Sequence, residues 1–227
     1  MKYLYVSGCS FTWGVGLDNP PEENWGYFLG NKLEVPVRNY SYPGQGNDEI
    51  FRKLYELLYT TKSLPSIIVI QLSELTRIRI FDDIDMEWKS ASVANWEFPK
   101  KTQDYYFKYY YSVYQNVYYL FTQMLLLKDK CDSLGIKFYV FDGICNINKD
   151  CLEHIQERIS GAQEKDRLLG LYQAIKDKNF LLHNGDYSWK ELKKDDEWYT
   201  DCHHPTEKSH EFMADELYNF IKGERAF

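Results

Sequence analysis

The 227-residue sequence has no excess of basic charge: 27 lysines and arginines stand against 34 aspartates and glutamates, a formal net charge of −7. A chain of that sign is not built to hold nucleic acid or another polyanion as its main task. It also lacks long hydrophobic runs. No window approaches the roughly 18 consecutive apolar residues of a membrane-spanning helix, and the most apolar stretch, Ile67 to Leu72, is only strand-sized. Paired cysteines are missing as well. The five present, Cys9, Cys131, Cys145, Cys151 and Cys202, are odd in number and show no C-x-x-C spacing, which argues against a zinc or redox motif and for reduced thiols in a cytoplasmic protein. The first ten residues carry one lysine and a short apolar run before Gly8. A signal peptide needs a longer apolar core, so a mature first strand is expected there. No internal repeat and no linker composition divides the chain. With 44% apolar and 27% charged residues, against globular averages of about 45–50% and 25%, one domain over residues 1–227 with a full core is expected.

What is present alternates between two periods. Lys2 to Ser7, Val35 to Tyr40, Ser66 to Leu72, Ile136 to Phe141 and Phe180 to His183 have the length and composition of buried strands. Helical spacing falls between them: Glu22 to Leu33, a segment after Asn47 with Ile50, Leu54, Leu57 and Leu58 on one face, Tyr105 to Ser133, Gln163 to Lys178, and Pro205 to Lys222. Eight of the twenty tyrosines lie between Tyr105 and Tyr119, and the long helix holding them is read as core or as a contact between subunits of a homo-oligomer. Residues 77–104 break the pattern with an acidic, tryptophan-bearing mixture expected to be an inserted loop or lid. Trp88 and Trp96 within it are candidates to stack on a substrate. Strands alternating with helices argue for a parallel sheet covered on both faces, and ligands of such sheets sit beyond the carboxyl ends of the strands.

Three segments should share that rim: Gly8-Cys9-Ser10-Phe11-Thr12, Pro43-Gly44-Gln45-Gly46-Asn47 and Ser73-Glu74-Leu75-Thr76-Arg77. A serine on a glycine-flanked turn exposes its hydroxyl and offers its own N–H to an oxyanion, and a glycine on the next turn lets a second N–H come close. A base is supplied near the other end by Asp201-Cys202-His203-His204-Pro205, where the aspartate three residues before His204 is spaced to orient the imidazole. Other assignments compete. Cys9 is a conceivable nucleophile in a thiol–histidine pair. Cys202, His203 and His204 with Cys9 are poorly spaced for one metal. His203 is read as a rim neighbour, and Arg77 and Arg79 either steer an anion or are solvated.

Gly8-Cys9-Ser10-Phe11-Thr12, Asn39-Tyr40-Ser41-Tyr42-Pro43-Gly44 and Asp201-x-x-His204-Pro205, in that order, resemble the motifs of the SGNH (GDSL-like) hydrolases. The resemblance implies a serine esterase, with Ser10 as nucleophile, His204 as general base, Asp201 as its orienting acid, and the N–H groups of Ser10 and Gly44 in the oxyanion hole. It implies no metal and no organic cofactor. Two positions depart from the pattern. Cys9 stands where the family has aspartate, and Leu75 falls where the family has an asparagine donating to the oxyanion, leaving Asn47 or Ser73 to complete the hole. The expected fold is a three-layer α/β/α sandwich with a five-stranded parallel sheet, flavodoxin-like, in strand order 2-1-3-4-5. The expected activity is hydrolysis of a small-molecule or glycan ester, such as an O-acetyl group on a carbohydrate, with neither nucleic acid nor membrane as partner. Acyl transfer by the same residues, or an inactive binding module on the same fold, are the alternatives.

Overall fold

A computed structural model of the chain describes residues 2–92, 97–144, 161–182 and 197–223. Strand β1 (Leu4–Ser7) runs into a one-turn helix α1 (Ser10–Trp13). Helices α2 (Pro20–Glu23) and α3 (Trp25–Leu33) lead to β2 (Val37–Asn39), and α4 (Asn47–Thr60) to β3 (Ile67–Leu72). Strands β4 (Ile78–Asp82) and β5 (Glu87–Ala91) follow, then α5 (Lys100–Tyr109), α6 (Val113–Ser133) and β6 (Lys137–Asp142). The chain closes with α7 (Ala162–Asp177), β7 (Leu181–Leu182) and α8 (Glu207–Lys222).

The expectation of a single five-stranded parallel sheet in order 2-1-3-4-5 is corrected. A four-stranded parallel sheet, β2-β1-β3-β6, forms the centre, with β7 adding only two residues at its edge. A second, antiparallel sheet is built from β4 and β5 alone. It occupies much of the segment expected to be an irregular lid. The cause is local: Ile78 and Ile80 alternate with charged residues, and Phe81 pairs with Trp88 across the hairpin, their rings 5.4 Å apart. Such cross-strand aromatic pairs stabilise a hairpin whose composition otherwise reads as loop.

The sheet divides the core in two, as the alternation of strand side chains requires. Tyr3 and Tyr5 of the first strand segment, Ile68, Ile70 and Leu72 of β3, and Phe138 and Val140 of β6 pack with α4, α6 and α7. Leu4, Val6, Val69 and Phe141 face the other way, onto Trp25 and Leu29 of α3 and Met213, Leu217 and Phe220 of α8. Three further helix boundaries differ from expectation. The tyrosine-rich helix is two helices, because the Ser112 side chain caps α6 by accepting from the Gln115 N–H. Asn24 likewise separates α2 from α3, accepting from Tyr27 N. The last helix begins at Glu207 with Thr206 as its cap, so Pro205 precedes it. Among the described residues no helix is long and apolar enough to cross a membrane.

Candidate active site

The interior strand β1 delivers Ser10 to the rim. Cys9 is extended (φ −102°, ψ −153°), and the helix that Ser10 opens is closed one turn later by Gly14, whose N–H bonds the Ser10 carbonyl. The turn is anchored to both neighbouring strands. Thr12 Oγ1 donates to Gln71 Oε1 on β3, and Asn39 Nδ2 on β2 donates to the Thr12 carbonyl at 3.2 Å. At a helix start the first N–H groups, that of Ser10 among them, have no intrahelical acceptor. Ser10 itself is 9% exposed. Cys9 is fully buried, and burial pushes its thiol up, away from the reactive thiolate. That burial disfavours the thiol as nucleophile.

Gly44 stands on the adjacent turn. Gln45 N donates to Tyr42 O at 3.2 Å across Pro43-Gly44, and Gly44 has φ +84°. Proline followed by a residue at positive φ is a type II turn, which requires glycine at that place. Past this turn Asn47 is buried and bidentate on β3's end: its Nδ2 donates to Ser73 O at 2.8 Å and its Oδ1 accepts from Ser73 N at 2.7 Å. Asn47, expected as a candidate oxyanion donor, is therefore the clamp that fixes Ser73. The Ser73 N–H is occupied by the same clamp, and its side chain is fully buried.

The base comes from a tight turn before α8. Tyr199 bridges Pro205, Thr200 N donates to His204 O at 2.8 Å, and His203 N donates to Thr200 O at 2.8 Å, with His203 in the left-handed region at φ +60°. This reversal carries the Cys202 carbonyl to within 3.0 Å of His204 Nδ1, with Cys202 Sγ at 3.3 Å. A proton on Nδ1 donated to that carbonyl leaves the Nε2 lone pair as the base. The ring packs edge-on against Phe11, centroids 5.1 Å apart, next to Ser10 in the chain. Burial, with the charge of Arg77 and His203, lowers the His204 pKa, against an opposing contribution from the Cys202 carbonyl. Asp201 does not join this arrangement. It is exposed, and its carboxylate has no hydrogen bond or ion pair among the described residues. His203 is exposed too.

The structure thus brings the turns of Ser10, Gly44 and Ser73 to one rim with His204, and leaves Asp201 outside. Trp88, expected near a substrate, lies on the hairpin between Phe81 and the Arg52 guanidinium, 5.1 Å from its ring. Trp96 falls outside the described residues. Sequence reading missed the Cys202 carbonyl, which no side-chain pattern announces, and the chain from Thr12 through Gln71 to Trp25 Nε1 (3.3 Å) that ties the serine turn to the core.

No protein-family profile and no curated protein matches the chain. Solved structures do. TesA superposes with a TM-score of 0.54 at 14% identity, over 98% of this chain and 99% of that one. A carbohydrate esterase family 2 enzyme with a carbohydrate-binding domain, from Corynascus thermopiles (Myceliophthora fergusii), gives 0.54 at 13% identity, over 98% and 66%. The lipase Lip_vut3 from a goat rumen metagenome gives 0.52 at 15% identity, over 97% of each chain. At such identities the likeness speaks for the fold alone.

Proposed function

We propose that the chain is an ester hydrolase whose nucleophile is Ser10 and whose base is His204, working as a dyad. The observation that carries this reading is the His204 ring, held through Nδ1 by the Cys202 carbonyl and seated against the residue that follows Ser10. The fold it shares with a lipase and a carbohydrate esterase supports it.

In this reading His204 Nε2 takes the Ser10 proton as Oγ attacks the ester carbon. The carbonyl oxygen becomes an oxyanion facing the N–H groups of Ser10 and Gly44. Collapse expels the alcohol with the proton from His204, leaving an acyl-serine, and water repeats the steps to release the acid. The Cys202 carbonyl takes the part that an aspartate has in a triad. It fixes the tautomer and lies against the imidazolium that forms, with a partial charge in place of a full one.

A fluorophosphonate probe tests the reading directly. The label is expected on Ser10 by peptide mapping, with Ser10→Ala unlabelled and its turnover of short-chain nitrophenyl esters reduced by about 10⁴ or more. His204→Ala is expected to slow labelling to a similar degree. Absence of label, or label on another residue, would overturn the assignment.

A further inference from the structure

The position that the family resemblance gives to an oxyanion-donating asparagine is Leu75 here, and leucine has nothing to donate. The loop that lacks the asparagine nevertheless carries a donor, which it returns to Ser73 at the end of β3. Arg77 N donates to Glu74 O at 3.1 Å, closing a turn that brings the Arg77 side chain back beside Ser73. Its Nη1 lies 3.5 Å from Ser73 Oγ and its Nε 3.4 Å from the Glu74 carboxylate. Ser73 is held from behind by the Asn47 clamp, so the guanidinium rests on a fixed base. The loop carrying Gly44 touches it from the other side. A Cβ on Gly46 would overlap the Arg77 carbonyl, so a glycine is needed for the two loops to meet. Arg77 also lines a small cavity with Asn47, Leu75 and Asn116 beside the end of β3.

Glu74 binds the stem side of the fork. Arg77 Nη2 has no protein partner among the described residues. Arg79, two residues on, is different: its Nη1 donates to Ser90 Oγ at 3.2 Å and its Nη2 to Trp88 O at 2.6 Å, so it is committed to the hairpin. The Arg77 charge is felt, as a minor contribution beside burial, by both the Cys9 thiol that precedes Ser10 and the His204 imidazole.

We propose that the Arg77 guanidinium is the third oxyanion donor of this site, supplied from two residues beyond the position of the missing asparagine. This rests on the Ser10–His204 reading. As the Ser10 Oγ–carbon bond forms, the carbonyl π electrons move to oxygen and the serine proton moves to His204. Arg77 keeps all its protons and donates hydrogen bonds to the new oxyanion, where a guanidinium is worth more than in water because the site is partly dehydrated.

The test compares wild type, Arg77→Gln and Arg77→Lys on p-nitrophenyl acetate. Loss of one oxyanion donor lowers kcat by about 10²–10³, and the glutamine variant should show this with KM changed by less than about threefold. Free guanidinium chloride at non-denaturing concentration should restore part of its kcat. Removing the positive charge also relieves the imidazolium of repulsion, so the acidic limb of kcat/KM should move to higher pH in Arg77→Gln. It should stay in place in Arg77→Lys, which keeps the charge and loses the fork. A kcat within threefold of wild type in Arg77→Gln, or a loss confined to KM, overturns the proposal while fluorophosphonate labelling of Ser10 leaves the dyad standing. A wild-type protein that the probe does not label overturns both.

Discussion

At the scale of single residues, the decisive contact is one that no substitution can remove, the carbonyl of Cys202 on His204 Nδ1. The Asp201-x-x-His204 spacing points to a carboxylate-anchored triad, in which replacing the aspartate by asparagine costs about 10⁴ in kcat. With Asp201 exposed and His204 oriented by the main chain, Asp201→Asn is expected to cost less than tenfold, and His203→Ala a comparable amount. Steady-state kinetics decide this, and a loss of 10³ or more in Asp201→Asn would restore the aspartate to the mechanism. The same residue sets a pH dependence. Burial and the Arg77 charge lower the His204 pKa from its ordinary 6.5, so the neutral base persists to lower pH. The acidic limb of kcat/KM is then expected below pH 6.5, and a limb at or above 6.5 would contradict a half-buried imidazole near the Arg77 charge.

At the scale of elements, the site depends on how loops at strand ends hold one another. Asn47 opens α4 yet turns both ends of its amide to the backbone of Ser73 at the end of β3, one N–H donating and the oxygen accepting. Asn47→Ala strands a buried N–H and a buried carbonyl, each costing about 1–3 kcal/mol when unpaired. It should therefore lower the urea midpoint and also reduce kcat, because the Ser73 base under Arg77 loosens. An unchanged midpoint would mean that water replaces the amide. The elements that were readable from sequence are those with clean periodicity, such as α4, where Ile50, Leu54 and Leu58 are buried at four-residue intervals. The break before α6 was written as Ser112-x-x-Gln115, a capping pattern, but aromatic residues on all sides of Tyr105 to Tyr119 hid it. The β4–β5 hairpin was obscured by its charges. Arg79, Asp82, Glu87 and Lys89 are strand residues whose partners lie across the hairpin or on α4, as in the bond from Arg79 N to Asp48 Oδ2 at 3.0 Å. The turn at Gly44 was legible because a positive φ after proline calls for glycine, and Ser10 was singled out only by its place after Gly8 at the end of a strand. The tautomer-setting carbonyl was not legible, since every residue has one.

At the scale of the whole molecule, the α8 side of the sheet is tied to the serine turn by buried polar groups. His210 on α8 accepts from Trp25 N at 3.1 Å through Nδ1, Trp25 Nε1 reaches Gln71, and Gln71 holds Thr12 of the Ser10 helix. His210 has no exposed surface, and burial, with a smaller contribution from His204, lowers its pKa to about 3. The sign of the consequence follows from linkage. Below pH 6.5 the unfolded chain protonates this histidine and the native chain does not, so the unfolded state binds more protons and stability falls as pH falls. The loss begins near 6.5, the unfolded value, and continues to about 3, where the native imidazole is forced to accept a proton on the nitrogen that now receives Trp25 N–H. A few kcal/mol are at stake over that interval. His210→Gln keeps an acceptor for Trp25 without a titrating group, and should be less stable than wild type at pH 7.5 through imperfect packing. Its urea midpoint should then decline less between pH 6.5 and 4 than that of wild type, with m-values unchanged. The difference between the two slopes isolates His210 from the carboxylates that titrate in both proteins. Parallel slopes would show that the histidine is not held neutral in the native core.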